Sequence, residues 1–354
     1  MTFRERLYPV LSFASKLFSI QQLIEESEQL LFLPFYHTIS DKSLPHVEQL
    51  YTLKNTTQFK QDLDFLLKHF KPVSIEEVLN HVQHKERITE PSFHLTFDDG
   101  MRDCIETIVP ILKERNIPAS FFINNDFVDN KSLFYRHKIS LIIHHLKTND
   151  VSNHQVQDIK ETLTNAQLYA VSIIESLKLV KYIQQAVLDN VAIILAIDFE
   201  QFLDSEKPYM TSAEIEYLQA DDFHIGAHSV DHPYYKDINF EEQIRQTSES
   251  LEYVEEHFEN DIRSFAFPFS SDMLSKDFFY KMNNQMDISF GTSGLKLDEF
   301  DNHLHRFPME ETNYSALTLT RAAYFYYLIK RIMRKHVLNR RSNIMQIKEA
   351  NTNN

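Results

Sequence analysis

Cysteine is nearly absent from this chain of 354 residues: Cys104 is the only one. A disulfide within the chain is therefore excluded, and so is a cysteine-based zinc site. A lone thiol fits a reducing compartment. No apolar run reaches the ~18 residues of a membrane span. The N-terminal stretch MTFRERLYPVLSFASKLFSIQQLIEESEQ carries early charge, and Lys16 breaks its weak apolar patch. No small-residue cleavage site follows, so it reads as a short helix rather than a signal peptide. The expected location is cytoplasmic. Positive charge is also short: 36 Lys and Arg stand against 51 Asp and Glu, a net charge of −15. That excludes general nucleic-acid binding, which needs a basic surface. Glycine is scarce as well, with four in the chain.

What remains is ordinary globular composition, 43% hydrophobic and 25% charged, with enough length for a large core. Residues 30–37 (LLFLPFYH) read as a buried strand. Residues 56–70 follow, with Phe59, Leu63, Leu66, Leu67 and Phe70 at helical spacing. Ser74 and Glu77 form a capping-box pattern ahead of the next helix. SFHLTF is a strand, and DCIETIVPILKERN a helix with Pro110 in its first turn. ASFFIN is a strand again. This alternation predicts an α/β fold with a parallel sheet or barrel. It stops where Gly and Pro vanish between Ala119 and Lys207. Residues 126–212 read as a helical insertion that caps the barrel or shapes its rim. The alternation resumes with FHIGAH, a helix over NFEEQIRQTSESLEYVEEHF, and short strands in SFAFPF, ISFGTS and HLHRFPM. Residues 316–341 read as an amphipathic basic helix, followed by a polar, frayed tail. The whole chain, 1–354, reads as one catalytic domain.

Two stretches carry chemistry. In LTFDDG, a strand ends in Asp98 and Asp99, and Gly100 follows. Side chains alternate across a strand, so adjacent carboxylates serve one site only where the strand ends. Gly100 permits the sharp turn there. One carboxylate suits a metal and the other a base, although an Asp-Gly turn that caps a helix fits the same letters. In GAHSVDHP, His228 and His232 follow Gly226, and Pro233 argues against a helix. Two imidazoles and a carboxylate form a three-ligand set with open positions, the catalytic style of zinc site. The turn in RSFAFPFS, around Pro268 and Phe269, offers a backbone N–H for an oxyanion.

Taken in order, LTFDDG, GAHSVDHP and FAFPFS resemble the polysaccharide deacetylase family, also called the NodB-homology or carbohydrate esterase 4 family. The resemblance spans about residues 30–308, outside the helical insertion. It implies a distorted (β/α) barrel with fewer than eight regular strands. It also implies a divalent metal, Zn²⁺ by preference, and an N-acetylated sugar or polysaccharide as substrate. By the same resemblance Asp98 is the base, and Asp99, His228 and His232 are the metal ligands. The family's base-orienting Arg falls at Ala266 here. Phe269 stands for the usual Tyr, and Ser270 for the usual Gly. LPFYHTISD resembles the poly-N-acetylglucosamine deacetylase branch, which makes His37 the candidate acid, with His305 as its competitor. Arg306 is either an orienting cation or a structural ion pair. Two alternatives stay open: a member of this fold that binds carbohydrate without turnover, and a metal-dependent hydrolase of another bond. The basic C-terminal helix is expected to give at most a weak contact with an anionic membrane.

Overall fold

The computed structural model describes residues 3–310 and 314–342, and of residues 3–7 only the backbone. The tail expected to fray, 343–354, lies outside the described residues. Eight short strands form one wholly parallel sheet: β1 (Pro34–Tyr36), β2 (Leu95–Phe97), β3 (Ala119–Ile123), β4 (His224–Ala227), β5 (Ser264–Ala266), β6 (Ile288–Gly291), β7 (His303–His305) and β8 (Phe307–Pro308). Their order is β7-β6-β5-β4-β3-β2-β1-β8. The sheet thus has eight strands where the resemblance implies fewer regular ones, and only Arg306 separates β7 from the two-residue β8. One half of that segment pairs with β6 and the other with β1, so the sheet closes into a distorted barrel.

Alternation along the strands separates an inner layer from an outer one. Phe122, Ala266, Ile288 and Phe290 pack inside with Leu33. Ile75, Val78 and Val82 of helix Ile75–Val82 join that cluster. Neighbouring strand residues, such as Phe121, Ile123, Phe265 and Phe267, face the surrounding helices. Gly226 faces the same crowded interior. A Cβ there would sit 2.4 Å from both the Phe122 ring and Ser264 Oγ.

Several expectations shift in detail. The helical run around Pro110 begins with a π-turn, Cys104–Ile108, before helix Val109–Arg115. Proline has no N–H for the carbonyl four residues back, and the Val109 N–H bonds instead to Cys104 O, five residues back. The C-terminal helix is Ala316–Ile332, shorter than expected. Val337–Leu338 then pairs with Leu297–Asp298. Arg331 donates to Glu26 O and Ser27 O, and Arg340 is buried. The continuous basic stripe is thus broken, and a membrane contact through this helix is not supported. No helix among the described residues is long and apolar enough to cross a membrane.

Between β3 and β4 lie helices Tyr135–Thr148, Asn153–Asn165, Ile173–Lys178, Ala186–Leu195 and Phe199–Glu206, then Ser212–Ala220. Their buried Ile142, Ile159, Leu163, Leu188 and Val191 belong to the main core.

Candidate active site

The site forms where the strands end, and left-handed backbone makes it. Asp99 (φ 69°), Ser229 (φ 74°), His232 (φ 62°) and Phe269 (φ 56°) all take a conformation that side chains with a Cβ disfavour. Such strain gathers where surrounding contacts hold a functional geometry. At the end of β2, Asp99 and Gly100 (φ 60°) turn in succession. That lets Asp98 and Asp99, which would diverge on a strand, reach one place.

Asp99 Oδ1 lies 3.1 Å from His232 Nε2 and 3.4 Å from His228 Nε2. All three residues are buried. Despite these distances, Asp99 Oδ1 has no hydrogen bond of proper geometry. One carboxylate oxygen and two imidazole nitrogens therefore converge on one place. Three such atoms within 4.8 Å of one another suit a divalent cation. The donor set fits one further: His228 Nδ1 donates to Ala266 O at 2.7 Å, which leaves its Nε2 as the ligand atom. The loop between the histidines is held by Asn124, whose Nδ2 donates to His228 O and to Ser229 O. Ser229 Oγ accepts from His232 N at 3.0 Å. Burial opposes a charged Asp99, but the two imidazoles outweigh it and hold the carboxyl well below the usual range.

Asp98 is held beside that convergence by Arg306, with Oδ2 3.9 Å from His228 Nε2. Nη1 donates to Asp98 Oδ1 at 2.6 Å and Nη2 to Oδ2 at 2.7 Å. Nη1 also reaches Thr96 Oγ1 at 2.9 Å. The guanidinium is fully buried and lies over the rings of Phe35 and Phe122. Burial would raise the Asp98 pKa, yet Arg306 and His228 keep it below the ordinary value. The cation missing at position 266 is thus supplied from the break between β7 and β8. Removing one partner of a buried pair strands the other. Arg306→Ala is expected to cost about 3–5 kcal/mol of stability, read as a fall in the urea midpoint; an unchanged midpoint would contradict this account of the pair.

Arg306 also fixes the fate of His305. With residue 306 pointing inward, residues 303 and 305 point outward. His305 Nε2 meets Asp298 Oδ2 at 3.1 Å, and Arg340 pairs with the same carboxylate. His303 bonds to Ser271 and Ser289. Asp298, His303 and His305 make a second group of metal-type donors, but hydrogen bonds occupy it and Arg340 supplies its positive charge. His305 is therefore not brought to the reacting cluster.

His37 is. It follows β1, and its side chain remains 24% exposed. Glu310, just past β8, accepts the His37 backbone N–H at 2.9 Å and pairs with His37 Nδ1. The other ring nitrogen, Nε2, is left as a donor. Burial alone would lower the His37 pKa, but the Glu310 carboxylate outweighs it and pushes it up to about 10. The sequence reading passed over Glu310. Its only signal was an acid directly after a barrel strand.

Phe269 follows buried Pro268. Thr292 Oγ1 donates to Phe269 O at 2.6 Å. Among the described residues nothing accepts the Phe269 N–H. The Phe269 ring packs 4.8 Å from the His232 ring, and the Arg136 guanidinium of the insertion lies 5.6 Å from the Phe269 ring centre. The insertion also places Phe134 4.4 Å from the His232 ring, and Tyr182 donates to Asp231 in the histidine loop. His144 of the insertion pairs with Glu48 at 2.6 Å.

Known proteins agree with this frame. The sequence model of the polysaccharide deacetylase family matches residues 85–287, more than half of the chain, and the chain belongs to that family. A chitooligosaccharide deacetylase of Rhizobium leguminosarum bv. phaseoli is 27% identical over 89 residues, 25% of this chain and 39% of that relative. The chain thus matches well under half of that relative's length. Among solved structures, the Streptococcus pyogenes deacetylase PplD, in complex with acetate, has a TM-score of 0.51 at 14% identity. It covers 83% of this chain and 97% of its own. IcaB from Ammonifex degensii gives 0.50 at 15%, with the same coverage. At such identity these two show the fold alone.

Proposed function

We propose that this protein is a metal-dependent deacetylase that hydrolyses the N-acetyl group of an N-acetylglucosamine-type sugar or polysaccharide. The observation that carries the reading is the convergence of Asp99 Oδ1, His228 Nε2 and His232 Nε2 beside a separately held carboxylate, Asp98. Asp99, His228 and His232 would hold a divalent ion, Zn²⁺ by donor type. When bound, such an ion supplies Lewis acidity and a charge that offsets the adjacent carboxylates.

The chain's own groups divide the remaining work. Asp98, kept ionised by Arg306, accepts a proton from the attacking water. Arg306 holds both carboxylate oxygens and so fixes which way the base faces. The Phe269 N–H donates to the oxygen that gains charge. His37, kept protonated by Glu310, gives its Nε2 proton to the departing amine nitrogen. Water and an acetamide become acetate and an ammonium group: the proton taken by Asp98 replaces the one His37 gives, and the proton of the released acetic acid ends on the amine. Hydrolysis of a phosphate bond is disfavoured, because the cation nearest the base, Arg306, is committed to Asp98.

The test is acetate and amine release from N-acetylglucosamine oligomers by the Zn²⁺-loaded protein. The two products are expected in equal amounts. No release from any N-acetylated sugar overturns the reading.

A further inference from the structure

Phe269, whose N–H is the candidate oxyanion donor, sits in a loop, residues 267–275, between β5 and helix Lys276–Met282. Its left-handed backbone (φ 56°) is strained and persists only where neighbours hold it. Several of the groups that hold the loop come from much later in the chain. Arg340 lies beyond the C-terminal helix, in a segment whose Val337–Leu338 pairs with Leu297–Asp298. Its guanidinium is buried, 4.1 Å from the Phe279 ring centre. Nη1 donates to Ser271 O at 2.6 Å and to Leu274 O at 3.2 Å. Asp298 holds the rest of the fork: Nε donates to Oδ1 at 3.0 Å and Nη2 to Oδ2 at 2.7 Å.

The same loop is gripped at three further points. Thr292 Oγ1 donates to Phe269 O, Ser293 Oγ donates to Asp272 Oδ1, and Ser271 Oγ meets His303 Nε2 at 2.9 Å. His305 Nδ1 accepts the Ser293 N–H at 3.4 Å, which leaves its Nε2 to donate to Asp298. These groups press on the end of β6. A Cβ at Gly291 would lie 2.4 Å from Ser271 Oγ and 2.6 Å from His305 Nδ1. Burial opposes a charged Asp298, but the hydrogen bonds from His305 and Arg340 outweigh it and hold the carboxyl well below the usual range. Asp298, His303 and His305 therefore have work other than metal binding: they anchor Arg340 and the Ser271 turn. An oxyanion donor contributes only when it is aimed in advance at the place where charge develops. Such aim comes from the contacts that hold the donor's own segment.

We infer that Arg340 is a positioning residue for the reaction: clamped by Asp298, it pins the Ser271 and Leu274 carbonyls and so fixes the turn that aims the Phe269 N–H. This rests on the deacetylase reading and deepens it. The active site then depends on a residue well outside the stretch 85–287 matched by the family model.

The test is steady-state acetate release from N-acetylglucosamine oligomers by the Zn²⁺-loaded Arg340→Lys protein. Lysine keeps a cation for Asp298 but has no planar fork to join it to two carbonyls. kcat is expected to fall about 10–100-fold, as for a reacting group displaced by roughly an ångström. KM should stay within about twofold of the parent, because the lost contact is made only in the transition state. Asp298→Asn loosens the same clamp and keeps its shape, so it decides the matter if Arg340→Lys does not fold. Its kcat should fall about tenfold, again with KM unchanged. A residue that serves only the fold would lower the melting midpoint and leave kcat per Zn²⁺-loaded molecule at the parent value, and that result overturns the proposal. So does a loss confined to KM. Failure of the deacetylase reading looks different: the parent itself then releases no acetate, which overturns both.

Discussion

Asp98→Asn is expected to lower the rate of acetate release by at least about 10³-fold while the protein still binds one equivalent of Zn²⁺. General-base catalysis contributes on the order of 10²–10⁴-fold, and Asp98 is the carboxylate that Arg306 holds ionised beside the ligand atoms. The substitution keeps the shape and leaves Arg306 one oxygen to hold. Asp99, His228 and His232 are untouched, so metal binding should survive. The two effects therefore separate: turnover tests the base, and metal content tests the ligands. Retained turnover in Asp98→Asn would move the base elsewhere. Lost metal would mean that Asp98 is itself a ligand.

The second large effect concerns His37 and pH. Its pKa of about 10 in the folded protein depends on Glu310, which overcomes the lowering by burial. The unperturbed imidazole value is about 6.5. A group raised on folding adds stability in full below its unfolded pKa, and that stability is lost as pH rises through the folded value. The His37–Glu310 pair therefore stabilises the fold at neutral pH, and its contribution fades between about 6.5 and 10. Catalysis should follow the same proton. The parent is expected to stay active on the alkaline side until about 10. In Glu310→Gln the imidazole falls to about 6.5 or lower, so at pH 8.5 about one molecule in a hundred or fewer keeps the proton. Rates there should drop about 100-fold or more, and much less at pH 6. The pH–rate profiles of the two proteins decide the matter. Coincident alkaline limbs would remove His37 from the role of acid.

The sequence made much of this legible, and the unread parts share a cause. Asp98, Asp99, His228 and His232 lie in two short runs where strand, rare glycine and polar residues coincide, so local chemistry exposes them. The alternation of apolar strands and amphipathic helices gave the barrel for the same reason. Arg306 stands in the sequence as a candidate orienting cation, but its partner Asp98 lies 208 positions away, and the unread Glu310 lies 273 positions from His37, at the end of the neighbouring strand. No local pattern encodes such a partner. Both lie beyond the residues 85–287 matched by the family model. The break at Arg306 that turns His305 outward was equally unreadable, because HLHRFPM looks like one strand until the closure of the sheet is known.

The most direct test of the central claim is a metal titration. Protein stripped of metal is reloaded with Zn²⁺ in substoichiometric steps, and acetate release from N-acetylglucosamine oligomers is measured at each step. His228→Ala and His232→Ala are run alongside. The account predicts no release without metal, a linear rise that ends at one equivalent, and no restoration at that level in either variant. Release by the stripped protein equal to that of the reloaded one would contradict it, as would full restoration of both histidine variants at one equivalent.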